Sequence, residues 1–299
     1  MRQYTKEGKL LWALVLSGGG AKGLAHVGIL KALMERGFPE PSLVVGTSMG
    51  AIVGGLYACG IRPAELSRFV LEDFDITAHL DSFVFKLNGP VGKVFQTGQI
   101  LGNLATRRGV DSGQGLLKLF EALTQGKTFA QTQIPFRCNA VDLASGRELV
   151  LSSGSVARAM RASMSFPAFF EPLIEEKEGG ASQYLVDGGL ADNMPVYIAR
   201  NAGFRRVLAV DVYHFRSVPP SDLKTGPHIV YRSIEVAINL MERKRRVPAD
   251  LTLYTTDQTS PFNFFRKKEL IALGEQVVRE KESQIRAFFS GKKQEPREE

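Results

Sequence analysis

The sequence predicts an α/β fold in which a mostly parallel sheet lies between two layers of helices. Two apolar runs, residues 11–16 and 43–45, have the length and the branched residues of buried strands. Each run leads into a Gly-rich turn, and each turn opens onto an apolar stretch with helical spacing. A strand, a turn and a helix that occur twice in succession indicate a βαβ unit, in which the two strands are parallel.

The remaining elements follow from the same patterns. Runs of apolar and β-branched residues predict further strands at residues 136–141, 148–151, 173–174, 184–186, 206–212 and 251–254. Helical spacing predicts helices at residues 62–70, 113–124, 156–163, 194–202, 229–246 and 269–289. Ser155 is expected to cap the helix at 156–163. The 44% hydrophobic content is enough for a sizeable core.

The second Gly-rich turn, Gly46-Thr47-Ser48-Met49-Gly50, has the Gly-x-Ser-x-Gly pattern of a serine nucleophile. In such a turn the chain passes sharply from a strand into a helix, and glycines on both sides of the serine avoid clashes of Cβ atoms. The hydroxyl of Ser48 would then project above the sheet beside the positive end of the helix. The alternative is a tight strand-to-helix connection in which Ser48 only caps the helix.

The first Gly-rich turn spans residues 17–23, and Gly18, Gly20 and Gly23 also satisfy the Gly-x-Gly-x-x-Gly pattern of dinucleotide-binding proteins. That interpretation requires an acidic residue at the end of the second strand, where the sequence has no carboxylate. A Gly-rich turn beside a nucleophile can instead bind an oxyanion through its backbone N–H groups. We assign that role to Gly18, Gly19 and Gly20, assisted by the N–H of Met49.

Lys22, in the same turn, has two interpretations. Its ammonium group could add positive potential to the site, or it could be a solvated lysine on the first helical turn, which is the more common situation. The sequence favours the solvated lysine.

Several residues could serve as the base that a serine nucleophile needs. The four histidines have no distinctive context, although His214 follows a predicted strand. Asp187 ends a short strand and precedes Gly188-Gly189, which would let a second backbone segment approach closely. Asp142 and Asp211 also end predicted strands, and any of the three aspartates could simply cap a turn.

Together, these motifs resemble those of the patatin-like phospholipases, in particular the compact bacterial members of that family. The resemblance rests on residues 18–23, on residues 46–50 and on Asp187-Gly188-Gly189, which occur in the family's order and approximate spacing. Residues 163–172 also resemble the segment that precedes the Asp-Gly-Gly motif in the family. The similarity covers residues 11–212, with Lys22 at a position where some relatives have arginine.

The resemblance implies a patatin-like three-layer α/β/α sandwich and a Ser-Asp catalytic dyad, with Ser48 as nucleophile and Asp187 as a base that acts without histidine. Gly18, Gly19, Gly20 and Met49 would form the oxyanion hole. The residues implied to support the motifs are Lys22, Gly23, Gly46, Gly50, Gly188 and Gly189. Burial of Asp187 would raise the pKa of its carboxyl group from the ordinary value near 3.9 and make it a better base.

The implied activity is that of a lipid acyl hydrolase of the phospholipase A or lysophospholipase type, which needs neither a metal nor another cofactor. Three alternatives stay open on the sequence alone. One is an enzyme for other esters, such as a carboxylesterase or a thioesterase. Another is a module that binds a nucleotide or phosphate at residues 18–23. The third is a regulatory adaptor that retains the fold with little activity.

The resemblance also suggests a division of the chain. Residues 1–215 would form the catalytic domain, with an insertion at about 74–110 that is either a lid or acyl pocket, or apolar filling beneath a loop. Residues 216–289 would form a helical extension packed on the core, and residues 290–299 a disordered tail.

Charge and cysteine content limit the partners. The formal net charge is +7 and the pI is near 9.4, which suits an anionic surface such as phospholipid headgroups, but basic and acidic residues alternate over most of the chain. No nucleic-acid-binding motif is present, so we expect no nucleic-acid partner. Cys59 and Cys138 lie among apolar neighbours without metal-ligand spacing and are expected to be reduced core residues. The sequence gives no oligomeric state.

The sequence contains neither a secretory signal at residues 1–9 nor an apolar run long enough to span a bilayer. We therefore expect a cytoplasmic protein that contacts an anionic membrane only peripherally, at the inner membrane surface. The predicted helix at 229–246 ends in four basic residues, but Glu235 and Glu242 interrupt its basic face, which favours packing on the protein over membrane contact. The aromatic and basic cluster at 262–268 is the better candidate for the membrane contact.

Overall fold

The computed structural model describes residues 10–81, 108–177, 180–213, 215–224, 226–245, 247–257 and 263–290. In these residues, eight strands form one sheet. The strands are β1 (Ala13–Leu16), β2 (Leu43–Gly46), β3 (Phe136–Asp142), β4 (Arg147–Leu151), β5 (Leu173–Glu176), β6 (Ser182–Asp187), β7 (Val207–Asp211) and β8 (Leu251–Tyr254). Their order across the sheet is β5-β6-β3-β2-β1-β7-β8, and β4 forms a hairpin with β3.

The five strands from β3 to β8 in the sheet order pair in parallel, and the strands beyond β3 pair antiparallel. β1 pairs in parallel with β2 and with β7, and the parallel region continues to β3 on one side and β8 on the other. β6 pairs antiparallel with β3 and with β5. The predicted α/β fold with a mostly parallel sheet is therefore confirmed.

Nine α-helices are present in the described ranges. They are α1 (Leu24–Glu35), α2 (Met49–Ala58), α3 (Pro63–Arg68), α4 (Gln114–Thr124), α5 (Val156–Ser163), α6 (Val196–Asn201), α7 (Gly226–Arg245), α8 (Lys267–Glu280) and α9 (Glu282–Ser290). Ser155 caps α5 as expected, since its side chain accepts a hydrogen bond from the N–H of Arg158. Among the described helices, none combines the length and the hydropathy that crossing a bilayer requires.

The alternation of side chains along the strands creates a core on each face of the sheet. Leu14 and Leu16 of β1 point to the face covered by α1, α2, α5, α8 and α9. Ala13 and Val15 point to the opposite face, where α6 packs. Because successive side chains of a strand alternate, a strand that is buried on both faces reads as a continuous apolar run, as β1 does in the sequence.

The C-terminal helices pack on the N-terminal part of the chain. α8 crosses α1 at two glycines, where a Cβ on Gly28 would lie 1.9 Å from the carbonyl oxygen of Ile271 and one on Gly274 would lie 2.1 Å from that of Ala25. In α9, Phe288 and Phe289 contact the ring of Trp12, with centroids 6.0 and 5.1 Å away. The crossing brings the two helix backbones into direct contact.

Two predicted helices have different bounds in the structure. The predicted helix at 269–289 is two helices, α8 and α9, separated at Lys281. The helix predicted to run to residue 70 ends earlier, because a single π-helical turn at Phe69–Asp73 follows α3. Of the predicted insertion at 74–110, residues 82–107 lie outside the described residues, as do His214, Phe262 and residues 291–299 of the predicted tail. The division near residue 215 stays a prediction.

Candidate active site

Ser48 lies on the turn between β2 and α2 in a backbone conformation that residues other than glycine rarely adopt. Its φ is 52° and its ψ is −120°, which places it in the strained positive-φ region. The turn is too tight for side chains beside it, because a Cβ on Gly46 would lie 2.3 Å from the carbonyl oxygen of Gly50. A Cβ on Gly50 would lie 2.2 Å from the carbonyl oxygen of Leu16. The backbone of Ser48 therefore has the geometry that the Gly-x-Ser-x-Gly pattern predicts.

Asp187, the last residue of β6, lies level with Ser48 along the direction of the strands. β3 lies between β2 and β6 and pairs with both. Gly46 of β2 pairs with Cys138 of β3. Two residues further along β3, Ala140 pairs with Asp187. Ser48 is likewise two residues beyond Gly46, and its hydroxyl lies close enough to the Asp187 carboxylate to favour the ionised form of that carboxylate.

The Asp187 carboxyl group is buried, with only 3% of the residue exposed. Loss of hydration raises its pKa from 3.8 to about 6, although the nearby Ser48 hydroxyl and the hydrogen bond from the N–H of Gly189 stabilise the ionised form. The Gly189 N–H donates to Oδ1 at 2.8 Å. A carboxylate with a pKa near 6 is a stronger base than an exposed aspartate and is still largely ionised at neutral pH.

Asn139, in the middle of β3, links the two motif-bearing turns. Its Oδ1 accepts a hydrogen bond from the hydroxyl of Thr47 at 2.8 Å, and its Nδ2 donates to the carbonyl oxygen of Gly188 at 3.2 Å. A Cβ on Gly188 would lie 2.2 Å from Asn139 Oδ1, so this approach requires glycine there. One fully buried amide thus fixes the residue before Ser48 and the residue after Asp187.

The first Gly-rich turn lies against Ser48, and the structure changes the predicted set of oxyanion donors. The N–H of Gly18 donates to the carbonyl oxygen of Asn193 at 3.1 Å, so the expectation that Gly18 contributes a free donor is wrong. Among the described residues, the N–H groups of Gly19, Gly20 and Met49 have no acceptor. Gly20 has a φ of 56°, which explains the need for glycine at that position.

Glycines in both turns permit close packing around this site. A Cβ on Gly18 would lie 2.3 Å from Asn193 Oδ1 and 3.1 Å from the Cβ of Ser48. A Cβ on Gly23 would lie 2.2 Å from Cγ of Met49, so the first turn packs directly against the start of α2. The first turn and the serine turn can therefore approach only because Gly18 and Gly23 lack side chains.

Lys22 differs from the sequence-based expectation. It was expected to be solvated, but only 5% of the residue is exposed. Its Nζ lies 5.5 Å from the centroid of the Tyr213 ring. Burial and the nearby charge of Arg216 lower the pKa of this ammonium group. The four-carbon stem therefore packs inside the protein, and the charge lies beside a residue that borders the cavity described below.

The rival bases have other partners. His26 is buried, its Nε2 lies 2.8 Å from the carbonyl oxygen of Ser17, and burial lowers its pKa to about 4. The carboxylate of Asp142 accepts hydrogen bonds from Ser145 and from the N–H of Tyr184, which lower its pKa. Asp211 accepts from the N–H of Tyr213 at 3.1 Å. The aspartates thus stabilise turns, as strand-end aspartates commonly do.

A cavity of about 620 Å³ extends from Ser48 and Asp187 into the helical layer. Its walls are predominantly apolar and include Leu24, Val27, Ile52, Leu56, Phe69, Leu116, Phe120, Met164 and Phe170. Lys267, Phe264 and Ile238 contribute from the C-terminal part of the chain. Among the residues that the structure describes, no group of three or more His, Cys, Asp and Glu side chains is arranged to hold a metal ion. Cys59 and Cys138 are both buried and free, as expected.

Sequence reasoning did not identify Ser163, Asn139 or Asn193, although each contacts the site. Ser163 ends α5, and its hydroxyl accepts a hydrogen bond from the N–H of Ser48 at 3.0 Å. Asn139 left a signal, because asparagine is depleted inside buried strands. Ser163 begins the segment 163–172 singled out in the sequence, but its role, like that of Asn193, depends on contacts between segments distant in sequence.

The site combines a serine on a strained strand-to-helix turn, a buried carboxylate near its hydroxyl and free amides beside it. This arrangement is typical of α/β enzymes that use a serine nucleophile. Residues 14–200 match the family described as patatin-like phospholipase. Because the match covers more than half of the chain, the chain belongs to the patatin-like phospholipase family. The resemblance stated from the three motifs is confirmed.

Individual relatives agree with this assignment. The chain is 38% identical over 206 residues to "Lysophospholipase NTE1" of Mycosarcoma maydis, a match that covers 67% of this chain and 9% of the relative. It is 34% identical over 202 residues to "Patatin-like phospholipase domain-containing protein 6" of Homo sapiens, covering 67% of this chain and 13% of that protein. The match therefore spans only about a tenth of the length of these relatives.

A solved structure shows the same fold. The human GIVD cytosolic phospholipase A2 superposes with a TM-score of 0.50 and 11% sequence identity, over 93% of this chain and 60% of that chain. At this identity the likeness concerns the fold alone.

Proposed function

We propose that this protein is a serine lipid acyl hydrolase in which Ser48 is the nucleophile and Asp187 is the base. The proximity of the Ser48 hydroxyl to the buried Asp187 carboxylate, on the wall of one apolar cavity, carries the proposal. A serine hydroxyl becomes an effective nucleophile when a neighbouring base takes its proton. In this proposal no histidine is needed, because the carboxylate itself takes the proton of the hydroxyl.

The first half of the proposed reaction acylates Ser48. Its Oγ attacks the ester carbonyl carbon while its proton passes to Asp187, and the carbonyl oxygen becomes an oxyanion. We infer that the N–H groups of Gly19, Gly20 and Met49, which have no acceptor among the described residues, donate to this oxyanion at the N-terminal end of α2. The intermediate then collapses, the bond from carbon to the alcohol oxygen breaks, and Asp187 returns its proton to the leaving alcohol.

The second half regenerates the enzyme. Water attacks the acyl carbon of the acyl-enzyme, and Asp187 takes a proton from the water. When the bond to Ser48 breaks, the proton returns to Oγ and the fatty acid leaves. The same carboxylate therefore acts once on the serine hydroxyl and once on water.

The cavity supports a substrate with a long acyl chain. Its volume of about 620 Å³ lies within the usual range for small-molecule sites, and its apolar walls offer few partners to a polar group. Relatives bear the names lysophospholipase and patatin-like phospholipase. We therefore infer a phospholipid or lysophospholipid as the substrate class.

The other open functions have weaker support. A carboxylesterase or thioesterase would use the same dyad and differs only in the leaving group. A nucleotide-binding module would need polar groups around the first Gly-rich turn, but the cavity beside Gly19 and Gly20 has leucine and phenylalanine walls. An adaptor with little activity would not require the strained geometry of Ser48.

The proposal extends to location and partners. A cytoplasmic enzyme with a net charge of +7 would reach lipid by peripheral contact with an anionic membrane at its inner surface. The proposed division, with a catalytic domain at residues 1–215 and a helical extension at 216–289, agrees with the packing of α8 on α1.

Hydrolysis assays test the proposed activity. Wild-type protein should release fatty acid from long-chain lysophosphatidylcholine, and Ser48→Ala should reduce the rate at least a thousandfold. Ser67→Ala removes another buried serine hydroxyl, one that does not border the cavity, and should keep wild-type turnover. Retained turnover in Ser48→Ala would refute the assignment. A strong preference of the wild type for acyl thioesters over lysophospholipid would favour the thioesterase alternative.

A further inference from the structure

Helix α7 has an outer face that is apolar and exposed. Four large hydrophobic residues of this helix are exposed: Ile229, Val230, Val236 and Leu240. In Leu240, 52% of the surface is accessible. Ser233 and Ala237, between them on the helix, are also exposed. At 100° per residue, positions 229, 233, 236 and 240 lie on one side of a helix. A folded protein rarely leaves such a stripe in water without a partner.

The acidic residues of α7 lie on its inner face. The Glu235 carboxylate accepts a hydrogen bond from the hydroxyl of Tyr213, and the Glu242 carboxylate accepts one from the N–H of Asn193 at 3.2 Å. Ile238, on the same side, borders the large cavity. The sequence-based argument placed these two glutamates on the basic face of the helix, whereas both point towards the protein.

An exposed aromatic residue and an exposed basic residue lie near the start of α8, beside the cavity that α7 borders. Phe265 borders the same cavity as Ile238, yet 81% of the residue is exposed. Lys268, three residues after Phe265, is exposed too. Apolar side chains next to cationic ones match the two layers of an anionic bilayer surface, acyl chains below and phosphates above.

We propose that the outer face of α7 and Phe265 form a docking surface for an anionic phospholipid bilayer. α7 would lie in the membrane interface, with its apolar side chains among the acyl chains and the ammonium group of Lys268 among the headgroups. Since the inner face of the same helix forms a wall of the cavity, docking places the cavity beside the lipid that it accepts. The inference deepens the proposed function and rests on it for the identity of the substrate.

Vesicle binding tests the surface without requiring catalysis. All variants are made in the Ser48→Ala protein, so that no lipid is hydrolysed, and binding is measured by co-sedimentation with phosphatidylcholine vesicles that contain phosphatidylglycerol. Leu240→Gln and Phe265→Ser should each weaken binding about tenfold, because each removes one apolar side chain that the bilayer would bury. Leu143→Gln is the matched control. Leu143 is 54% exposed in the β3–β4 hairpin, and its substitution should leave binding unchanged.

The charge of the surface has a separate readout. Lys268→Gln should weaken binding to the anionic vesicles about fivefold and leave binding to pure phosphatidylcholine unchanged. The proposal is overturned if Leu240→Gln and Phe265→Ser bind like their parent, or if the parent binds neither vesicle. It is also overturned if the parent is a dimer that Leu240→Gln dissociates without a change in vesicle binding, since a second copy would then cover α7. Failure of the proposed hydrolysis would leave these binding results intact.

Discussion

At the scale of single residues, the burial of Asp187 sets the chemistry of the site. Few water molecules can reach its carboxylate, so ionisation is costly and the pKa rises to about 6. The nearby Ser48 hydroxyl and the hydrogen bond from the N–H of Gly189 oppose this effect and keep the ionised form accessible. The balance yields a carboxylate that is mostly ionised at neutral pH and accepts a proton more readily than an exposed aspartate.

The pH dependence of kcat/KM reports this balance directly. The proposed base must be ionised to act, so activity should rise with pH along a single-proton limb with a midpoint at about 6, the pKa of Asp187. Initial rates on a soluble short-chain ester from pH 4 to pH 9 give the profile. A midpoint near 4 would mean that the reacting group is an ordinary exposed carboxylate, which the proposed site does not contain.

The same burial should make Asp187 a source of instability. A carboxyl group with a pKa of 3.8 in the unfolded chain and about 6 in the folded protein costs up to about 3 kcal/mol above pH 6, where both states are ionised. The cost disappears below about pH 4, where both states are protonated. Asp187→Asn keeps the shape and removes the charge, so it should raise the free energy of unfolding by about 1–3 kcal/mol at pH 8.

Urea denaturation of wild type and Asp187→Asn at pH 8 and at pH 4 measures this difference. The gain in the asparagine variant should shrink towards zero at the lower pH. An equal gain at both values would show that the effect comes from packing or hydrogen bonding and not from the charge.

Some site residues could be predicted from the sequence and others could not. Ser48, Asp187 and the glycines belong to short motifs whose local geometry depends on neighbours in the chain. Asn193 acts through contacts with segments far away in sequence, so no local pattern shows it, whereas Asn139 is visible only as an asparagine inside a buried strand. The burial of Lys22 depends on Tyr213, which reaches it only when the C-terminal segments fold over the first turn.

At the scale of elements, the crossing of α1 and α8 limits the side chains that fit where the two helices touch. Gly274→Ala would place a Cβ 2.1 Å from the carbonyl oxygen of Ala25, a backbone atom that cannot move aside. The helices must then separate, and we expect a loss of about 1–3 kcal/mol in the free energy of unfolding. Gly226→Ala is the control, because a Cβ there meets nothing within 4 Å in a helix, and it should be neutral or slightly stabilising.

Urea denaturation of the two alanine variants distinguishes a tight crossing from a general effect of glycine replacement. Equal stabilities of Gly274→Ala and Gly226→Ala would contradict the close contact of α1 and α8.

Most elements follow from periodicity, but two features of the helices do not. The break between α8 and α9 at Lys281 interrupts an amphipathic pattern that continues on both sides, so the sequence predicts one helix where there are two. α7 has apolar residues on both its inner and outer faces, and periodicity alone cannot decide which face meets the protein. Tyr213 and Asn193, the partners of Glu235 and Glu242, decide it.

At the scale of the whole molecule, the order of the sheet brings distant residues together. The parallel pairing of β1 and β2 was predictable from the repeated strand-turn-helix pattern. The placement of β6 beside β3, with the opposite direction, was not, because the order of strands depends on pairings between distant segments. Residues beyond the family-matched region 14–200 complete the cavity, among them Ile238, Phe264 and Lys267.

The most direct test of the central claim is reaction with a fluorophosphonate probe at pH 8, followed by mass spectrometry to locate the modified residue. We predict that the wild type is labelled at Ser48, that Ser48→Ala is not labelled and that Asp187→Asn is labelled at least a hundredfold more slowly. Asp187 is ionised in the wild type at this pH, so slow labelling would reflect the loss of the base and not a change in its protonation. Labelling of the wild type at another serine, or an Asp187→Asn rate equal to that of the wild type, would contradict the account.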